Sequence, residues 1–475
     1  MEQSEQHWAD NTALLTRFVE RIQSEQSPRV NLDRVLLRLY YGRPLSVPAL
    51  DVRRPSASLQ DLEAAKQSGF SLMREVIDAA MALVCRLPAI KVLPIGQQFK
   101  IQRGAKLMSR YLNGVFYENN VKELSPQLFL DKCTTRLGAL KWFFDETTNK
   151  IKCQRLNSLW LLWDDAEGPQ PKSLYYQFPA SKRALTAEFP EYASEIREAP
   201  RWDPITVPLV EFHRHHESDH VKCVEAWSLP VGDKPGKHII QIGKNTNLVE
   251  EDWEYDRFPV VPDRWSYGFR TWGGRPLGEI LLPYQLWNNK ITRIMAEASS
   301  AAVPKLLLHE QSQVVNGITD KILETIKYRG PVAPQVVVPT TIGVDLWKLR
   351  ETIKAEAYEE AGVNSNVGRG AATDGSLVSA PAQREKMDIA STRLIHPTQM
   401  GEMFWRECAE VICMLAADNA GKIKSTAPMG SYLQDIPFED IQLAIGDYAI
   451  EVASTAALPL TVGGRIDRVN DLLQM

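Results

Sequence analysis

Apolar residues in the first part of the chain recur at helical intervals. After Asp10 or Asn11, either of which can cap a helix, Leu14, Leu15, Phe18, Val19 and Ile22 fall on one face. A second helix starts near Pro28, gathers Val35, Leu36 and Leu39, and ends at Gly42. Pro44, Pro48 and Pro55 keep the stretch Pro44–Ser58 extended. A third helix over Ser71–Leu87 stacks Val76, Ile77, Ala80, Met81 and Val84, and Pro88 closes it. Gln102–Tyr117 is a further helix.

From Leu137 the grammar changes to short apolar runs. Trp142, Phe143, Phe144, Ile151 and Leu159–Leu162 are parted by a polar turn at Asp145–Lys150, which reads as a hairpin. Strand patterns continue over Val221–Leu229 and His238–Ile242, broken at Gly232–Gly236. A mixed α+β module thus covers about residues 60–270. Beyond it, Pro276 opens a long helical stretch through Leu281, Leu286, Ile291 and Ile294 to Ser300. Short strands at Lys305–Leu308 and Val336–Val338 flank a helix at Gly317–Lys327. Asp345 caps a second long helix, Leu346–Ala361, which Gly362 ends. Val363–Ala380 has no apolar period and predicts a mobile or ligand-facing loop. A last long helix runs over about Ala382–Ala417, with a break near Pro397. Arg465–Met475 is helical without a stop signal, so we expect the natural chain to continue.

Composition narrows the function classes. At 475 residues the chain has room for two to four domains, and 44% hydrophobic with 24% charged residues is an ordinary globular mixture. Lys and Arg total 55 against 59 Asp and Glu, a net charge of -4, which excludes a basic coat. Contact with nucleic acid is then local or transient. The six cysteines include no Cys-x-x-Cys pair and are expected to be buried free thiols in a reducing compartment. The polar start MEQSEQHWADN is not a secretory signal, and no apolar run reaches the ~18–20 residues that span a bilayer. A soluble intracellular protein without a membrane partner is expected.

Searches for chemistry end mostly in structural readings. His213, His215, His216 and His220, with Glu217 and Asp219, could supply zinc or nickel ligands. Their spacing matches no zinc signature, and a solvated hairpin tip is the competing reading. His309-Glu310 lacks the second histidine of a zincin because position 313 is Gln. Gly232-Asp-Lys-Pro-Gly236-Lys237-His238 has too short a spacer and no Ser or Thr for a phosphate loop. Asp164 and Asp165 read as turn residues. No catalytic residue, metal or cofactor is assigned. The run from Arg264 to Glu279, with Trp265, Trp272, Gly268, Gly273, Gly274 and Gly278, is either a tight turn before a long helix or a corner between modules.

The same run belongs to a larger pattern. Phe258-Pro259-Val-Val-Pro-Asp-Arg264-Trp265, Gly273-Gly274, and Tyr284-Gln285-Leu-Trp-Asn288-Asn289-Lys290-Ile291 are followed by Tyr328-Arg329-Gly330, Ala361-Gly362-Val363-Asn364 and Ser379-Ala380-x-Ala382-x-Arg384. Gly138-Ala-Leu-Lys and Val224-Glu225-Ala226-Trp227 precede them, and Leu458-Pro459 to Gly463-Gly464-Arg465 ends the series. In number and order these motifs resemble the portal proteins, or head-to-tail connectors, of tailed bacteriophages, from about residue 30 onward.

The resemblance implies an α+β, multi-domain subunit that assembles as a ring. Residues 1–275 would form the wing, 276–302 the first stem helix, 303–342 the clip and 343–362 the second stem helix. Residues 363–380 would be the tunnel loop, 381–435 a long wing helix and its return, and 436–475 a wing strand and the start of a crown. It further implies a non-enzymatic dodecameric channel at one capsid vertex, made in the host bacterial cytoplasm and carried in the virion. Double-stranded DNA would pass through it, driven by the terminase large subunit. A head–tail adaptor would dock on it, and the major capsid and scaffolding proteins would surround it. Asn364, Ser365, Asn366 and Arg369 would face DNA from the tunnel loop. Lys305, Leu307, Gln311, Lys321, Lys327 and Val337 would make clip contacts, the two clip strands pairing with the neighbouring subunit's. Lys290, Arg293, Glu351 and Glu356 would lie on polar stem faces. Another capsid or tail-adaptor component sharing only the wing, and a metal-dependent hydrolase using His213–His220, remain as alternatives.

Overall fold

The computed structural model describes residues 7–42, 71–85, 90–202, 219–243, 246–301, 305–307, 313–314, 328–331, 335–337, 344–363, 393–429, 432–441, 443 and 446–452. They form a mixed α+β protein. The N-terminal helices are α1 (Leu15–Glu25), α2 (Ser27–Tyr40) and α3 (Leu72–Val84), followed by β1 (Ile90–Pro94), α4 (Phe99–Glu118) and α5 (Val121–Thr134). Next come β2 (Leu137–Asp145), β3 (Lys150–Leu156), β4 (Leu161–Trp163), β5 (Ser173–Ser181), α6 (Lys182–Glu188) and α7 (Ala193–Glu198). The strands β6 (His220–Ser228), β7 (Gly236–Ile242), β8 (Thr246–Trp253) and β9 (Val260–Arg264) lead to α8 (Leu277–Ala301). Short strands β10 (Lys305–Leu307), β11 (Gln313–Val314), β12 (Tyr328–Arg329) and β13 (Gln335–Val337) precede α9 (Val344–Glu360). The last elements are α10 (Ile395–Asp418), β14 (Lys424–Met429), β15 (Tyr432–Pro437) and β16 (Tyr448–Val452).

Two antiparallel sheets organise the part of the chain between α5 and α8. One has the order β3-β2-β9 and the other β4-β5-β6-β7-β8. The Leu137–Trp163 region is therefore not one hairpin. Trp142, Phe144 and Ile151 pair across β2 and β3, while Leu161–Trp163 crosses to the edge of the five-stranded sheet beside β5. One face of that sheet is covered by α1, whose Leu15, Val19 and Ile22 meet Tyr175, Ala226 and Ile239. Between the sheets, Trp163, Trp227, Trp253 and Trp272 fill a common core. A third core joins α4, the three-stranded sheet and α10 around Tyr111, Trp142, Phe404 and Trp405.

Several expectations shift in detail. The third helix stops at Val84 rather than Leu87, and α4 starts at Phe99, three residues before the expected Gln102. α10 begins only at Ile395, after a turn at Arg393 and Leu394, so the expected interruption falls beside Pro397. That proline lies in the first turn of α10, where its missing N–H has no intrahelical partner to lose. Residues 382–392 lie outside the described residues. The helix α5 escaped the pattern because its buried face carries Ser125 and Lys132 among Val121, Leu128, Phe129 and Cys133. All six cysteines are free; four are buried, while Cys85 and Cys153 are half-buried. Burial pushes Cys153, Cys223 and Cys413 up to about 12, which leaves them as thiols.

Gly138 shows why the sheet needs glycine at that point. A Cβ there would stand 2.7 Å from the Leu128 carbonyl oxygen of α5, a backbone atom that cannot rotate away. Gly138→Ala is expected to cost about 1–3 kcal/mol as α5 is pushed off β2. Urea denaturation checks it; an unchanged midpoint would mean that α5 can shift freely.

Candidate assembly and channel surfaces

The expected stem is a pair of packed helices. Their bases are embedded in the body, where Leu277 and Leu281 of α8 and Ala357 and Tyr358 of α9 share a core with Leu36, Met73 and Phe129. Farther along, Ile291, Met295 and Ile353 close a small core of their own, with Tyr284 and Leu346 against it. Gly278 lets the start of α8 approach the Cys133 carbonyl, which a Cβ would meet at 3.0 Å.

Polar side chains fix the register of the pair. Gln285 is buried; its Oε1 accepts from the Met73 backbone N–H at 2.8 Å, and its Nε2 donates to Asn289 Oδ1 at 2.7 Å. Asn288, fully buried, accepts from Arg350 Nε of α9 at 3.3 Å. Lys354 reaches Glu75 of α3 at 3.5 Å. The Gln-x-x-Asn spacing singled out in the sequence is thus a device that pins α8 to α3 and α9.

The outer faces of the pair carry large apolar side chains among charged ones. Leu286, Trp287 and Ile294 on α8 and Trp347 and Leu349 on α9 are exposed, the two tryptophans by 53% and 50%. Interspersed with them, Lys290 extends over Trp287, its Nζ 5.0 Å from the ring centroid. Lys290, Arg293, Glu351 and Glu356 are all exposed.

Of the clip positions, Lys305, Leu307 and Val337 lie on strands that pair inside one chain. β10 runs antiparallel to β13, with Lys305 opposite Val337 and Leu307 opposite Gln335. Pairing with a neighbouring subunit's clip would use the outer edges of this two-stranded ribbon. Each strand already has a partner on one side, and a second two-stranded ribbon, β11–β12, accompanies them. Gln311, Lys321 and Lys327, the expected helix at 317–327, and the loop residues Asn364, Ser365, Asn366 and Arg369 lie outside the described residues.

At the base of α8 sits a buried charge cluster that no spacing in the sequence announces. Asp33 of α2, with no exposed side-chain surface, faces Arg136 at 3.3 Å and Arg29 at 3.9 Å. Arg136 also reaches Glu279 of α8 at 3.2 Å, and Arg275 meets the same carboxylate at 3.3 Å. Arg29 donates to the carbonyls of Ser158 and Leu161 and lies over the Trp163 ring at 4.3 Å. Burial pushes the Asp33 carboxyl up to about 6, against the pull of both guanidinium groups.

The tryptophan–glycine corner ties this base to the two sheets. Gly273 passes close to Trp163, whose ring a Cβ would meet at 2.6 Å, and Trp163 meets Trp272 edge-on at 5.3 Å. Asp165 accepts from Trp163 Nε1 at 2.8 Å and from Thr271 Oγ1 at 2.5 Å, so it fastens the corner as well as ending a strand. Beside the corner, an open groove of about 570 Å3 runs between β9 and α10. It is flanked by Arg257, paired to Glu410 at 2.6 Å, and by Arg264, whose Nε donates to the Trp272 carbonyl.

The metal reading gains nothing from the described residues. His213, His215, His216 and Glu217 lie outside them, and Asp219 is in an ion pair with Arg201 at 3.8 Å. Among the described residues, no three His, Cys, Asp or Glu side chains come together closely enough to hold an ion. A buried acid–imidazole cluster among the described residues is structural in form. Glu225 takes Lys141 and His238 on one oxygen, His238 also binds Glu251 at 2.6 Å, and its ring stacks on Trp227. Among the described residues, no helix is long and apolar enough to cross a membrane. No protein-family model matches the chain, and no curated protein sequence matches it.

Proposed function

We propose that the chain is the subunit of a portal ring, a non-enzymatic homo-oligomeric channel for double-stranded DNA at a capsid vertex. The observation that carries the reading is the α8–α9 pair. Its base is fixed in the body by a core and by Gln285 and Asn288, yet its outer faces leave Trp287 and Trp347 half in water. A monomer gains nothing by displaying two tryptophans and three aliphatic side chains on one helix pair. A closed ring of heterologous contacts would cover them. The motif series supports the same reading independently.

In that ring the strand-paired insert after α8 is the clip, open to the terminase motor and to a head–tail adaptor. In this reading Arg369 offers the phosphate contact of the tunnel loop, and Asn364, Ser365 and Asn366 offer neutral donors. The wing meets the capsid and scaffolding proteins. A near-neutral chain suits a channel whose cargo has to slide, because a dense basic lining would hold the polyanion.

Negative-stain electron microscopy of the purified protein tests the reading. Rings with a central hole, of twelve subunits by native mass spectrometry, are expected. A protein that stays monomeric at micromolar concentration, with and without scaffolding protein, overturns it. Arg369→Glu rings are expected to assemble normally and to retain packaged DNA poorly. Particles that keep full-length DNA as the wild type does would remove Arg369 from the channel.

A further inference from the structure

The helix α4 carries a feature that the portal reading does not use. Its inner face, with Ala105, Met108, Tyr111, Leu112 and Val115, is buried in the core it shares with α10. Its outer face bears Phe99, Arg103, Lys106, Arg110, Asn113 and Tyr117, all exposed. At about 100° per residue these six positions fall within roughly 40° on either side of one line, a stripe about 27 Å long. Phe99 is 79% exposed and Tyr117 54%, so an aromatic ring stands at each end of three cations. Lys100 adds a fourth cation to one side.

The charge on this face is not offset. From Lys91 to Tyr117 the sequence contains no Asp or Glu, in a chain whose net charge is -4. None of Lys100, Arg103, Lys106 and Arg110 makes an ion pair with a described residue. Glu118, just past the stripe, is held by Lys150 at 2.7 Å. Lys91 stands opposite Glu451 across β1 and β16 and is not part of the set. The turn that carries Glu439 and Asp440 packs behind the helix, where the Ile441 carbonyl lies against Gly104. Gly104 is about 140° around the helix from the line of the stripe.

We infer that this face of α4 binds the phosphate backbone of nucleic acid without regard to sequence. Arg103, Lys106 and Arg110 span about 10 Å, roughly three nucleotide steps of a strand. Guanidinium and ammonium groups at that spacing neutralise successive phosphates, while the Asn113 amide is taken up by the Ile90 and Ser109 carbonyls. Phe99 and Tyr117 pack on sugar or base at either end, a contact that an acidic peptide gives no reason to display. A surface of this size binds weakly and falls off with salt. α4 presents it whether or not the chain forms a ring.

Fluorescence anisotropy with a labelled 30-base-pair DNA duplex tests the inference, using the full chain and an Arg103→Glu/Lys106→Glu/Arg110→Glu variant. All three positions are exposed, so the variant is expected to fold and melt as the wild type does. The wild type is expected to bind at about 50 mM salt and to lose affinity steeply as salt rises. In the variant the affinity should fall by at least about tenfold, and the slope of log K against log salt should flatten by about 2–3. A Phe99→Ala/Tyr117→Ala variant should weaken binding while leaving that slope unchanged. Three results overturn the inference. One is no binding by the wild type at low salt. Another is a charge-reversed variant that binds as tightly with the same slope. The third is displacement of the duplex by poly-glutamate at equal charge concentration, which would assign the face to an acidic protein.

Discussion

Asp33→Ala is expected to destabilise the protein by about 3–5 kcal/mol at pH 8, a loss comparable to truncating a large apolar core side chain. The residue is short and charged, but it is the negative centre of a site from which water is excluded. Arg29 and Arg136 approach it from α2 and from the turn between α5 and β2, and Arg136 continues to Glu279 at the base of α8. Removing the carboxylate leaves two guanidinium groups facing each other, one of them deeply buried against Trp163. Arg136 still reaches Glu279 and Arg29 still donates to two carbonyls, so the loss comes from the missing anion between the two guanidinium groups. A loss below about 1 kcal/mol in urea denaturation would show that water enters the site and that the cluster is solvated.

The same residue gives a pH signature of known sign. Its folded value, about 6, lies above its ordinary 3.8, so the folded chain holds this proton more tightly than the unfolded chain does. The stability linked to that proton is fully present below about pH 4 and is lost as the pH rises through about 6. Wild type should therefore lose stability relative to Asp33→Asn as the pH rises from about 4 to about 6, since asparagine does not titrate. Urea midpoints of the two proteins across that range measure it. A difference that stays flat would mean that the two arginines keep Asp33 ionised throughout.

How much of this was legible in the sequence depends on the range of the forces involved. α1, α2 and the long helices α8 and α9 were readable because their apolar spacing, caps and terminal glycines are local signals. Asn11 does cap the first turn, and Gly42 and Gly362 do adopt positive φ at the helix ends. The Asp33 cluster was not readable. Its members come from residues 29 to 279, and in α2 alone Asp33 looks like an ordinary solvated charge. α5 was missed for a related reason, since Lys132 on its buried face is neutralised by Asp263 at 2.9 Å, a partner 131 positions away. The sequence pattern also joined Leu281, Leu286, Ile291 and Ile294 into one stretch. The structure divides them, with Leu281 and Ile291 buried and Leu286 and Ile294 in water. A stripe wide enough to reach both sides of a helix does not say which side has a partner in the same chain.

That division leads to the second large effect, on assembly rather than folding. If the chain forms the proposed ring, Trp287→Glu combined with Trp347→Glu is expected to convert it to monomer while leaving the melting temperature almost unchanged. Both side chains keep about half of their surface in water, and neither belongs to the core formed by Ile291, Met295 and Ile353. Their replacement should thus change monomer stability by no more than about 0.5 kcal/mol. At an interface each would bury its remaining apolar surface, about 1–2 kcal/mol per tryptophan, and a glutamate there adds the cost of dehydrating a charge. Every interface of a closed ring repeats the same loss, so the effect on assembly is multiplied around the circle. Sedimentation velocity of the double variant distinguishes the cases. Monomers with wild-type thermal stability are the expected result. Rings that form at wild-type concentrations would mean that the tryptophan faces of α8 and α9 point away from every subunit contact, and the stem would have to pack through Lys290, Arg293, Glu351 and Glu356 instead.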